Sequence, residues 1–216
     1  ENTLNVGLNL THPYDCVVRG NRFYSCTLFS IMCTGSRDGD DETELMKTTI
    51  VNNTIEGRKT ITSNDIAMKI YGMEDFIVSD NHICGIRRED DDIALDENGN
   101  AILDSKGNNI IRGRGRGLGI WVSGIIDHKN NEIRISRKGI VANNYITGCY
   151  GDGIRIDTAT DISVTGNSVY NLEYVGLQSK KCGIRIVSNT NNISVMNNSV
   201  YYYGNKAIAN KCAYYN

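Results

Sequence analysis

Apolar and polar residues alternate along this chain in short runs, and the runs repeat. The tightest form of the repeat is apolar, any residue, turn-former, Asn, any residue, apolar. It reads Val18-Arg19-Gly20-Asn21-Arg22-Phe23, Ile50-Val51-Asn52-Asn53-Thr54-Ile55 and Val78-Ser79-Asp80-Asn81-His82-Ile83. It returns as Val141-Ala142-Asn143-Asn144-Tyr145-Ile146, Val164-Thr165-Gly166-Asn167-Ser168-Val169 and Val195-Met196-Asn197-Asn198-Ser199-Val200. The residue ahead of the Asn is always Gly, Asn or Asp, the types that tolerate positive φ. Each copy therefore predicts a strand, a tight left-handed bend and a second strand, with the Asn bonding backbone around the bend. A further strand recurs upstream of the bends, at Asp65–Ile70, Gly119–Val122, Gly153–Ile156 and Gly183–Ile186. Its period-two alternation marks one buried and one exposed face. Helical periodicity is scarce, so helix content should be low.

Repeats of this kind cannot bury their apolar faces alone and are stabilised by their neighbours. The pattern predicts an all-β chain, a single-stranded right-handed parallel β-helix over residues 1–216. In such a stack the Asn side chains align, and rungs roughly 4.8 Å apart let their amides bond to one another. The intervals between these Asn residues are 32, 28, 63, 23 and 31. The shortest resembles one bare coil, and the others are a coil plus a turn insertion. The longest has room for one extra coil and must contain an excursion. Its middle carries the turn signals Glu97-Asn98-Gly99-Asn100 and Lys106-Gly107-Asn108, which predict a β-hairpin insertion at about 88–116.

Composition agrees with short strands and left-handed turns: Gly reaches 22 while Pro13 is the one proline. A net charge of −2 gives no reason to expect nucleic acid as a partner. No apolar run approaches the ~18 residues of a membrane span, so membrane insertion is not expected. The chain opens on Glu1 rather than Met and carries no signal peptide, consistent with a processed product or a piece of a longer chain. Seven scattered Cys without zinc-type spacing read as reduced, core-filling thiols, with Cys26 and Cys149 at equivalent places in the repeat. The acidic runs Asp38–Glu42 and Glu89–Asp92 read as solvated corners, and His12, His82 and His128 form no metal signature. No metal or cofactor is called for.

The run Gly151-Asp152-Gly153-Ile154-Arg155-Ile156-Asp157, followed by Ile162–Val169, resembles the repeat of the pectate-lyase-like superfamily of right-handed parallel β-helices. The insertion makes the chain most similar to bacteriophage tailspike and polysaccharide depolymerase proteins. The superfamily also includes polysaccharide lyases, polygalacturonase-like hydrolases and mannuronan epimerases. The resemblance thus implies carbohydrate chemistry without choosing a reaction. It also implies a bacterial polysaccharide as partner, a homotrimer, and a place on a virion tail, or otherwise a secreted or cell-surface location. The adjacent Asp pair with Gly-His-Gly and Arg-Ile-Lys of polygalacturonases is absent, as is the Asp-Pro-His-Asp of epimerases. No catalytic residue is carried over from either.

Alternation assigns directions. Ile154 and Ile156 should point inward, so Arg155 and Asp157 point outward. Stacking then places Lys69, Trp121, Arg155 and Arg185 in one outward column and Tyr71, Ser123 and Asp157 in the next, with Asn9, Thr11 and Ser30 extending the face. The single Trp is expected exposed among cations, an arrangement suited to stacking on sugar rings and pairing with acidic groups. The substrate-binding candidates are Lys69, Tyr71, Trp121, Arg155 and Arg185. The bland alternative is that Trp121 packs beneath the insertion and the arginines are neutralised by Asp157 and Asp152. Glycoside hydrolysis needs two carboxyls ~5–9.5 Å apart. Asp157 is the first candidate, with Asp152 and Asp127 as partners, Asp127 being read as part of a loop. A lyase would instead use a base such as Lys69, Tyr71 or an Arg, with a cation neutralising a uronate. The functional alternatives are therefore a depolymerase, a non-catalytic glycan- or receptor-binding β-helix, and a structural β-helix.

Overall fold

The computed structural model describes residues 6–24, 26, 28–35, 47–57, 66–86, 92–93, 100–105, 107–108, 111–113, 117–127, 132–170, 182–187, 189–201 and 214–215. For 92–93, 111–113, 126–127, 132 and 214–215 it describes the backbone alone. Among these residues there is no helix.

The chain is an all-β parallel β-helix with three sheets. The first sheet stacks Leu8–Thr11, Phe29–Thr34, Ile66–Tyr71, Leu118–Ser123, Ile154–Ile156, Ile184–Ile186 and Tyr214–Tyr215. The second stacks Cys16–Arg19, Thr48–Val51, Glu74–Ser79, Ser136–Ala142, Ala159–Thr165 and Thr190–Met196. The third stacks Arg22–Tyr24, Thr54–Glu56, His82–Cys84, Tyr145–Thr147, Ser168–Tyr170 and Ser199–Tyr201. One strand of each, in chain order, makes one coil. Every pairing within these sheets is parallel and in register.

The bends between second and third sheets follow the sequence pattern. Gly20, Asn52, Asp80, Asn143, Gly166 and Asn197 all have positive φ, between 54° and 68°. The next residue in each is the ladder Asn. Asn53 Oδ1 accepts from the backbone N of Asn21 at 3.0 Å and from its Nδ2 at 3.1 Å. The same double bond runs from Asn53 to Asn81, Asn81 to Asn144, Asn144 to Asn167 and Asn167 to Asn198. Each inner Nδ2 also donates to a carbonyl one coil back, as Asn144 does to Val78 O at 2.9 Å. Asn81 bonds Asn144 directly, and Leu118–Ser123 pairs Ile66–Tyr71 directly, so the 63-residue interval contains no extra coil. It contains instead an antiparallel pair, Asp92–Ile93 with Ile111–Gly113, at the place of the expected hairpin, and a second antiparallel pair, Ile125–Asp127 with Glu132–Arg134.

Inside, Ile31, Ile50, Ile55, Met68, Ile70, Phe76, Val78, Ile83, Ile120, Val141, Ile146, Ile154, Val164, Val169 and Ile184 are at most 1% exposed and form one continuous core. At the corner leading into the first sheet, Gly119, Gly153 and Gly183 occupy successive coils in register. A Cβ on Gly153 would lie 2.4 Å from Val169 Cγ1, and one on Gly183 2.1 Å from Val200 Cγ1. Two consecutive residues face inward at this corner, and the first must be small. The residue before it is thereby turned outward, which sends Ile66 and Leu118 to the outer surface of the sheet, where they pack with Trp121 and Phe29.

Candidate functional site on the outer face of the first sheet

The pairing puts Lys69 opposite Trp121, Trp121 opposite Arg155, and Arg155 opposite Arg185. Ser123 stands opposite Tyr71. Asp157 N donates to Val122 O at 2.9 Å, which sets Asp157 beside Ser123. Both expected columns therefore exist as stacked rungs. Asn9 and Thr11 lie in register with Met32 and Thr34 at one end. Ser30 does not join the face, because it lies at the small-residue corner and is fully buried.

The state of the tryptophan differs from expectation. Trp121 is 8% exposed rather than open. Around it among the described residues lie the apolar group Phe29, Ile66 and Leu118, with two cations over its ring. Lys69 Nζ lies 4.8 Å from the Trp121 ring centroid, and Arg155 Cζ lies 5.6 Å from it. Tyr71 completes the group, its ring 6.4 Å from Trp121 and 4.1 Å from Lys69 Nζ, with Phe29 at 5.3 Å on another side. Period-two alternation gives the direction of the tryptophan correctly. It cannot give exposure, which depends on how many long side chains on adjacent rungs lie across the ring.

The ammonium of Lys69 thus sits among three aromatic rings, where the quadrupoles of the ring faces favour a cation. Arg155 and Arg185 each meet a carboxylate on this face. Arg155 Nη2 contacts Asp157 Oδ2 at 3.4 Å, with the two side chains 27% and 18% exposed. Thr158 Oγ1 donates to the other Asp157 oxygen at 2.8 Å. Arg185 Nη2 lies 3.2 Å from Asp152 Oδ1, which also accepts the Cys182 backbone N–H at 2.8 Å. Asp152 is almost fully buried and acts as a corner staple between two coils. Arg155 Nε is buried without a hydrogen-bond partner.

The two carboxylate candidates whose side chains are described, Asp152 and Asp157, each have their own partners. Asp152 stands before the Gly153 corner and Asp157 follows the strand Ile154–Ile156, five residues on. Asp127 belongs to the antiparallel strand Ile125–Asp127, opposite Glu132, and not to a loop; its side chain lies outside the described residues. The acidic run Asp38–Glu42, most of Glu89–Asp92 and His128 also lie outside them.

Sequence reasoning passed over a second outward surface. On the third sheet His82, Tyr145, Tyr170 and Tyr201 form a run of neighbouring rings. The signal was present in the repeat itself, since these residues stand one or three places after the ladder Asn. Compared with family models, curated proteins and solved structures, the chain matches none.

Proposed function

We propose that this chain is a carbohydrate-recognising parallel β-helix of the tailspike kind, engaging an acidic bacterial surface polysaccharide across the outer face of its first sheet. The observation that carries this reading is Arg155. Its side chain is 27% exposed and its guanidinium meets Asp157 only at 3.4 Å. That contact is long, so a ligand carboxylate can engage the exposed Nη edge without first breaking a close ion pair. Arg185 one rung on and Lys69 two rungs back lie in the same column. That spacing suits a polymer with repeated negative charge. Trp121 serves as the floor under the cations rather than as a stacking platform.

Cleavage is a second reading, and elimination is the form of it we put first. Asp152 is committed to Cys182 and Arg185, and Asp157 to Arg155 and Thr158. Elimination needs a cation at the uronate carboxyl and a base nearby, roles that Arg155 and Tyr71 would fill. The resemblance of the repeats to tailspikes supports placing the protein on a virion tail, or otherwise on a cell surface or outside the cell.

The test uses the native reporter: Trp121 is the single tryptophan, so its emission should respond to binding. A panel of capsular and O-antigen polysaccharides is titrated, and products are examined by mass spectrometry. Acidic polymers should bind with affinity that falls as salt rises. Arg155→Ala should weaken binding about tenfold or more while keeping the β-sheet circular dichroism. Unsaturated products would establish elimination, and products gaining water would remove it. Binding that survives Arg155→Ala, or no binding by any acidic polymer, sinks the proposal.

A further inference from the structure

The third sheet carries an aromatic strip on its outer face, away from the cationic column. Ring centroids lie 5.0 Å apart from His82 to Tyr145, 5.5 Å from Tyr145 to Tyr170 and 6.4 Å from Tyr170 to Tyr201. The rings therefore climb four successive coils without a gap. They are accessible: His82 is exposed, Tyr145 is 45% and Tyr201 52% exposed, and Tyr170 is half-buried. The tyrosine pairs are tilted by 31° and 46°, so part of each ring face is turned away from its neighbour.

A row of exposed rings has a cost that the fold does not require. The inward residues of these strands, Ile83, Ile146 and Val169, already fill the core. Outward positions on the same sheet are occupied elsewhere by Thr54, Thr147, Ser168 and Ser199, which shows that small hydroxyl residues suffice there. The rings are thus flanked by hydroxyl-bearing side chains rather than by aliphatic ones. The charged groups at the far end of the strip cancel, Arg22 bonding both carboxylate oxygens of Glu56 at 3.0 Å.

We infer that this strip is a second glycan-binding surface, which takes a neutral linear polysaccharide running along the helix axis. Tyrosine offers a rigid apolar face with a polar rim at little entropic cost, matching a sugar ring with apolar faces and hydroxyl edges. Several rings in a row suit a polymer rather than a single small molecule. Single-stranded nucleic acid also stacks on aromatic rows, but such sites add a cationic groove for the backbone, and the one cation of this strip that is paired here, Arg22, is neutralised by Glu56. A protein partner would ask for a broad apolar patch, whereas among the described residues this strip is one ring wide beside Thr147, Ser168, Ser199 and Cys84.

The experiment is native gel electrophoresis through gels containing hydroxyethyl cellulose, soluble starch, galactomannan or a soluble laminarin, with sedimentation velocity of the same proteins. At least one neutral polymer should retard the chain, with little dependence on salt. Tyr145→Ala should weaken that retardation roughly tenfold, as for an exposed aromatic anchor. Tyr145→Phe should keep most of it, because the ring face persists. Arg155→Ala should leave it unchanged and Tyr145→Ala should leave binding of acidic polymers unchanged, so the two surfaces fail or succeed separately. No retardation by any of the four polymers, or retardation that survives Tyr145→Ala, overturns the inference. So does self-association that is lost in Tyr145→Ala without any effect of polymer, which would make the strip a contact between copies.

Discussion

Asn144 illustrates what one side chain contributes to this stack. Its Oδ1 receives Asn81 N and Nδ2, and its Nδ2 reaches both Val78 O and Asn167 Oδ1. It is 1% exposed, so none of these groups can turn to water instead. Asn144→Leu leaves several buried polar atoms unpaired and is expected to cost about 3 kcal/mol or more, at ~1–3 kcal/mol for each stranded group. Asn21→Ala, at an exposed rung, should cost about 1 kcal/mol or less; urea denaturation compares the two. The thiols respond chiefly to burial. Burial pushes Cys33 and Cys149 up to about 12. In the unfolded chain a thiol ionises near ~8.5, so the folded state holds its protons longer. That contribution to stability is complete below about pH 8.5 and is lost as pH rises toward the folded values. The midpoint of urea unfolding should therefore fall between pH 8.5 and 11, and Cys33→Ala with Cys149→Ala should flatten that fall. In the native protein an aromatic disulfide reagent should label the half-buried Cys16 and leave Cys33 and Cys149 unmodified.

At the scale of the element, strand ends matter more than strand middles. The corner glycines let the chain turn inward twice in succession, and this shifts Ile66 and Leu118 to the outer surface to wall in Trp121. The reason is steric and not conformational freedom: Gly119 has no positive φ, but a Cβ there would lie 2.3 Å from Gly153 O and 3.0 Å from Ile146 Cγ2. Gly119→Ala should therefore force the first sheet away from the third, costing about 1–3 kcal/mol as overpacking does. The coupled readout is Trp121: its emission should shift to the red as its shelter loosens, while Gly20→Ala, with nothing near its Cβ, should leave that emission in place. At this scale too, Asp152 is a staple. It ties the Cys182 amide of the next coil to the corner and pairs with Arg185.

At the scale of the whole molecule, burial is deepest in the middle coils. Leu8, Leu10 and Phe23 in the first coil and Ile193, Val195 and Val200 in the sixth are only partly buried, though they continue the same core columns. Stability in such a stack is close to a sum over coils and their contacts. The outer face of the second sheet is different again. Ile77 and Ile140 stand directly opposite each other at 38% and 42% exposed, with Val17 two coils away at 64%. Exposed aliphatics on a flat sheet face are a place where copies of a chain can meet. We propose that this face supports the homotrimer implied by the tailspike resemblance. Light scattering at micromolar concentration should return three times the chain mass, and Ile140→Lys should lower it. A monomer in the unmodified protein would remove the trimer from the reading.

The repeat written into the chain determined the course of the backbone. Positive φ at Asp80 and Asn143, the Asn ladder, the inward Ile154 and Ile156, and the register of Lys69 with Trp121 and Arg155 were all legible, because period-two alternation and turn chemistry are local rules that stacking only multiplies. A hairpin in the long interval was legible for the same reason. Tertiary structure alone decided what becomes of the outward residues. Lys69, Arg155 and the displaced Leu118 lie against the buried Trp121, and Asp152 is spent on a coil it meets only after folding. Asp127 falls in an antiparallel ribbon because Glu132–Arg134 folds back on it. Direction belongs to a residue and its strand. Exposure and pairing belong to the neighbours that the fold brings from 30 or more residues away, and no local pattern encodes their reach.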